Sequence, residues 1–84
     1  MARGTTGRPN RAALAHNVRR LRRMRDWSQE RLAAEAGDLR QGLISDIERA
    51  KANPTLTTLE SVAGALGVTV RDLFKPLRPS RPSR

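Results

Sequence analysis

Apolar residues recur at helical spacing in five separate runs between residues 12 and 74, parted by glycine, proline or polar residues. In the first, AALAHNVRRLRRMRDW, Leu14, Val18 and Leu21 fall at i, i+4 and i+7 with arginines around them. That spacing predicts an amphipathic helix of roughly four turns beginning at Ala12. Ser28 caps the next run, SQERLAAEAG, whose apolar face is Leu32, Ala33 and Ala36 and whose stop is Gly37. The third run turns Ile44 and Ile47 inward and ends near Arg49 or Ala50, ahead of the break at Asn53-Pro54. TLTTLESVAGALG follows, with Leu56, Leu59, Val62 and Leu66 on one face and Gly67 as terminator. Thr69 and Asp72 are spaced as a capping box for a last helix, VRDLF, with Val68 and Leu73 as its hydrophobic staple. The reading is all-α: five short helices and no strand.

Outside this unit the character changes. MARGTTGRPNR is polar and rich in Gly and Pro, which predicts a disordered arm over 1–11. Beyond Pro76, repeated Arg-Pro-Ser predicts an extended tail over 76–84, leaving 12–75 as the folded unit. The net charge of +9 is concentrated in these arms. Arg3, Arg8 and Arg11 lie in the first, and Lys75, Arg78, Arg81 and Arg84 in the last ten residues, with no acid in either. A near-neutral folded unit between two cationic arms suits a polyanionic partner. Gly7-Arg8-Pro9 resembles the centre of an AT-hook, although Thr6 replaces the arginine that should precede the glycine. Arg3, Arg8 and Arg11 are therefore the candidates for minor-groove contact.

Composition removes several classes of function. Cysteine is absent and His16 is the only histidine, so no disulfide framework and no metal site are expected. No apolar run is long enough to span a bilayer, and the first eleven residues lack the apolar middle of a secretion signal, so a cytoplasmic protein without membrane contact is expected. With Trp27 and Phe74 the only large aromatics, rows of stacking residues for single strands are missing. No nucleophile with a placed base, phosphate loop or ligand cluster is visible. The chain does not read as an enzyme, and no cofactor is expected.

Two short helices joined near a glycine, the second polar on one face, form a helix-turn-helix arrangement. Leu14, Val18, Leu21-Arg22, Trp27 to Ala33, Gly37, Ile44 to Arg49, Asn53 to Leu56, Leu59 and Ala65 to Val68 follow the pattern of the XRE, or Cro/CI-type, DNA-binding family. The resemblance covers about residues 13 to 74, and ISDIER and NPTLTTLE are similar to the controller proteins of restriction-modification systems. It implies a five-helix lambda-repressor-like domain whose third helix, about 40–50, enters the major groove. Base-reading positions would be Arg40, Gln41, Gly42, Leu43, Ser45 and Asp46. Ser28 and Gln29 would touch phosphate on one flank, and Arg49, Lys51 and Asn53 on the other. Arg22 and Glu48 would pair and tie the first helix to the third. The family implies that this pair is partly buried; were it a surface pair instead, it would contribute at most about 1 kcal/mol.

The chain departs from the family in one place. Gly37 to Ile44 spans seven residues where the family has six, so registers counted from the two ends disagree. Counting from Gly37 puts Arg40 at the first reading position, where it would favour guanine; counting back from Ile44 puts Gln41 there, where it would favour adenine. The second register is preferred, because packing anchors Ile44 and Ile47 whereas a turn absorbs an insertion. Asp38 is then the extra residue, and its spacing to Gln41 allows it to cap the helix early. Gly42 would lie inside the first turns at a cost of about 0.5 to 1 kcal/mol relative to alanine, either to admit DNA closely or to relax the lengthened turn.

One short helix reads too few base pairs for useful specificity, so a homodimeric transcription regulator on paired half-sites of double-stranded DNA is expected. Leu66, Val70, Phe74 and Leu77 are the expected dimer contacts. The competing reading is an antitoxin-type module that binds an unknown protein partner and autoregulates its promoter.

Overall fold

A computed structural model describes the backbone of residues 7–76 and side chains from Asn10 onward. Five helices follow in order: α1 (Gly7–Met24), α2 (Gln29–Glu35), α3 (Gln41–Glu48), α4 (Leu56–Leu66) and α5 (Val70–Leu73). Among the described residues there is no strand. α3 packs on α1 and α2, α2 also meets α4, and α5 closes the bundle against α1 and α4.

α1 starts at Gly7, five residues ahead of the expected boundary at Ala12. Pro9 lies in its first turn, where the backbone N–H that proline lacks would have no helical partner. Arg11 therefore projects from a helix and not from an arm. Arg3 and the tail over 77–84 lie outside the described residues.

The core is drawn from every helix: Leu14, Val18, Leu32, Ala33, Ile44, Ile47, Val62, Leu66 and Leu73 are buried together. Ala33, Ala36 and Ala63 keep the contacts between helices short-sided, so α2 can sit close to α3 and α4. Leu56 departs from its expected inward place. It is the first residue of α4, ahead of the turn whose Leu59 reaches the core, and is 63% exposed.

Three of the helices end on one kind of stop. α1, α3 and α4 finish with a left-handed residue, Asp26, Ala50 and Gly67 respectively, that lets the next N–H reach back to a free carbonyl. Lys51 N bonds Asp46 O at 2.8 Å, and Val68 N bonds Ala63 O at 2.9 Å. At the start of α5 the capping box is formed, with Thr69 and Asp72 each bonding the other's backbone N–H.

Two side chains lock the bundle from outside the apolar pattern. Buried Asn17 donates through Nδ2 to the carbonyls of Leu73 (2.9 Å) and Lys75 (3.1 Å), fastening the end of α5 to α1. Arg25 donates to Leu66 O at 2.8 Å, satisfying a carbonyl at the end of α4. The Arg25 and Arg31 guanidinium groups both lie over the Trp27 ring, at 5.1 and 5.2 Å from its centroid.

Candidate nucleic-acid interface

The turn between α2 and α3 fixes where the third helix begins. α3 begins at Gln41, with Arg40 in extended geometry at the N-cap and Ile44 fully buried one turn on. The extra residue is taken up by two successive left-handed residues, Gly37 (φ +94°) and Asp38 (φ +60°). Closure on the end of α2 is thereby displaced along the chain: Leu39 N, and not Asp38 N, bonds Ala33 O at 2.9 Å. Leu39 then packs against the core. Asp38 consequently does not cap α3, because an N-cap needs extended backbone and Asp38 is spent on the turn. Arg40 makes no side-chain cap bond either, which leaves its guanidinium in solvent.

Gly42 lies in regular helix on the exposed side, and a Cβ added there would meet nothing within 4 Å. The turn does not need it, since Gly37 and Asp38 supply the unusual backbone. Of the remaining expected reading positions, Gln41 and Asp46 are exposed and Ser45 is half-buried. Leu43 leans onto the core, so only part of its side chain faces outward.

Behind this surface runs a connected set of polar contacts. Arg22 of α1 donates Nε to Glu48 Oε2 (2.6 Å) and Nη2 to Glu48 Oε1 (3.0 Å), while its Nη1 bonds Trp27 O at 2.7 Å. The two side chains retain only 12% and 3% of their exposure. The Glu48 carboxylate holds the Arg22 pKa above its ordinary value, the hydrogen bond outweighing desolvation. Glu48 Oε1 also accepts from Gln29 Nε2 at 3.1 Å, and Gln29 Oε1 accepts from Gln41 Nε2 at 2.7 Å. The ionised carboxylate can only accept, so Gln29 must turn its NH2 inward and its carbonyl toward Gln41. Gln41 answers with one N–H and keeps Oε1 and a second N–H for solvent. The sequence assigns Gln29 to phosphate, but its side chain is occupied within this set. The backbone N–H at the start of α2 stays available, together with the second N–H of Nε2.

Ser28 caps α2 by accepting from Arg31 N at 2.9 Å. Arg49, Lys51 and Asn53 are exposed just past the other end of α3. The positions named for phosphate thus bracket the exposed edge of α3. Residues 18–73 match the sequence profile of the helix-turn-helix family.

The chain belongs to this family, in its XRE-type branch. It is 42% identical over 66 residues to a Neisseria meningitidis hypothetical transcription factor, covering 79% of this chain and 61% of that protein. The control protein C.BamHI of Bacillus amyloliquefaciens is 42% identical over 65 residues, covering 76% of this chain and 79% of its own length. Among solved structures, the restriction-modification controller protein C.AhdI of Aeromonas hydrophila superposes with a TM-score of 0.72 at 31% identity, over 76% of this chain and 96% of that one. The chain thus spans less than two thirds of the Neisseria relative's length.

The expected dimer contacts fare unevenly. Leu66 is 2% exposed and belongs to the core, so it offers no surface to a partner. It lies in the same buried cluster as Val62 of α4 and Leu73 of α5. Val70 and Phe74 are half-buried, and Leu77 lies outside the described residues.

Proposed function

We propose that this chain is a sequence-specific double-stranded DNA-binding transcription regulator, acting in the cytoplasm as a homodimer on paired half-sites without catalysis or cofactor. The observation that carries the reading is the held Gln41 side chain at the start of α3. A glutamine offering one carbonyl and one N–H in a plane matches the N6 and N7 edge of adenine in the major groove. The Glu48–Gln29 contacts orient those two groups before DNA arrives, so less side-chain entropy is lost on binding. Arg40 and Ser45 extend the reading surface to either side, Leu43 offers an apolar edge for a thymine methyl, and Asp46 selects against phosphate approach at the far end.

Ser28, the Gln29 backbone N–H, Arg49, Lys51 and Asn53 position the helix through phosphates. Arg3 and Arg8 supply minor-groove contacts from the N-terminal side, Arg8 from the first turn of α1, while Arg11, about a turn further along that helix, is assigned elsewhere. Selection of bound duplexes from a random pool tests the whole reading. Two half-sites about 10 base pairs apart, each with adenine at the Gln41 position, are expected. Gln41→Ala should lose the preference at that base. A selected pool without shared sequence, or an unchanged consensus for the variant, would refute the assignment.

A further inference from the structure

Beside the connection between α3 and α4 lies a depression of about 320 Å3. Leu14 and Leu59 form its floor, Pro54 and Phe74 flank it, and exposed Arg11 stands at its rim. One turn back from Leu59 along α4 is Leu56, whose side chain is left in solvent although the helix periodicity would bury it. Glu60 follows Leu56 by four residues, so the two share a face of α4. Neither Arg11 nor Glu60 joins an ion pair among the described residues.

The geometry points to a self-complementary patch: in a two-fold dimer, Leu56 of one copy fills the Leu14–Leu59–Phe74 depression of the other, and Glu60 meets the second copy's Arg11, each contact occurring twice. A knob and a socket on one surface are what a closed two-fold interface requires, since the same patch must serve both partners. The charges agree with that pairing, an acid beside the knob and a base beside the socket. A small organic ligand fits less well, because it would leave the exposed leucine next to the depression without a role. This inference rests on the dimer reading above and specifies where the copies meet. It replaces buried Leu66 with Leu56 and keeps Phe74.

Sedimentation equilibrium of the full chain without DNA, with circular dichroism to confirm folding, tests it. Leu56→Asp alters an exposed side chain and should raise the dimer Kd by about tenfold or more while helicity is kept. Arg11→Glu and Glu60→Arg should each weaken the dimer, and the double variant R11E/E60R should recover most of the loss. Unchanged association of Leu56→Asp in a chain that does dimerise overturns this interface and leaves the dimer reading standing. So does a double variant no better than either single one. A wild-type chain that stays monomeric at all concentrations overturns both.

Discussion

The Gln41 side chain is held from behind by Gln29, which accepts its amide N–H at 2.7 Å while donating to Glu48 at 3.1 Å. One residue from each arm of the helix-turn-helix thus sets the pose of the other. Ordering a side chain with glutamine's freedom costs about 0.5 to 1.5 kcal/mol on binding. Gln29→Ala should therefore weaken operator binding roughly three- to tenfold. In a Gln41→Ala background the same change should do little more. Equal losses in both backgrounds, measured by titration of labelled operator, would show that Gln29 acts independently of Gln41.

Arg22 and Glu48 form a fork-on-fork pair that water barely reaches, so the small value of an exposed pair does not apply. Removing the arginine alone leaves a carboxylate that is 3% exposed with Gln29 as its remaining partner. Arg22→Ala should cost about 3 kcal/mol, near the lower end for a broken buried pair. Replacing both residues by apolar ones of similar volume should cost much less. Urea denaturation of the two variants decides; similar midpoints would place the loss in packing and not in the stranded charge.

Much of this was legible in the sequence, and the exceptions share a cause. Leu32, Ile44, Ile47 and Val62 fall where period 3.6 puts them, because a buried stripe leaves little choice of face. The Thr69–Asp72 box was readable because both partners lie within one turn. Spacing alone leaves Asp38 open as a cap because it does not report φ; the structure spends Asp38 on a left-handed turn, after which Leu39 packs on the core. The role of Asn17 is hidden in the sequence because its partners, the carbonyls of Leu73 and Lys75, are 56 and 58 residues away. A polar residue at i+3 from Leu14, beside the apolar stripe, was the available signal. The α1 boundary slipped because Pro9 reads as a breaker unless the helix is known to start just before it.

Ala50 ends α3 at φ +58°, a conformation that costs an alanine roughly 1 kcal/mol and a glycine almost nothing. Ala50→Gly should therefore stabilise the domain by about 0.5 to 1 kcal/mol less the extra entropy of an unfolded glycine. A net gain of a few tenths is expected in thermal unfolding. A lower melting temperature would mean that the alanine methyl makes packing contacts that outweigh the relief of strain.

Acid should loosen the C-terminal end of the bundle. The Thr69 backbone N–H donates to the Asp72 carboxylate at 3.0 Å, and this, with Lys75 Nζ at 3.2 Å, lowers the Asp72 pKa below its ordinary value. Since the folded-state pKa is the depressed one, the contribution is complete above the unfolded value and disappears as pH falls through the folded value. Asp72→Asn should lower the melting temperature at neutral pH and flatten its dependence on the acid side. Parallel curves for the two proteins from pH 6 to 2 would remove the carboxylate from the explanation.

Gly42 is the residue whose stability and binding effects should run in opposite directions. It lies on the exposed side of a regular α3, with open space where a Cβ would go, so alanine is accepted without strain. Helix propensity then favours Gly42→Ala by about 0.5 to 1 kcal/mol, or roughly 2 to 8 °C in a domain of this size. If the glycine is retained because the backbone beside Gln41 comes close to the bases, the added methyl must displace α3 from the groove. The more stable variant should bind its operator at least about tenfold more weakly, with the loss greatest at the adenine opposite Gln41. Higher melting temperature with undiminished affinity would end the close-approach explanation. The turn could not then be invoked in its place, because Gly37 and Asp38 already provide its left-handed backbone.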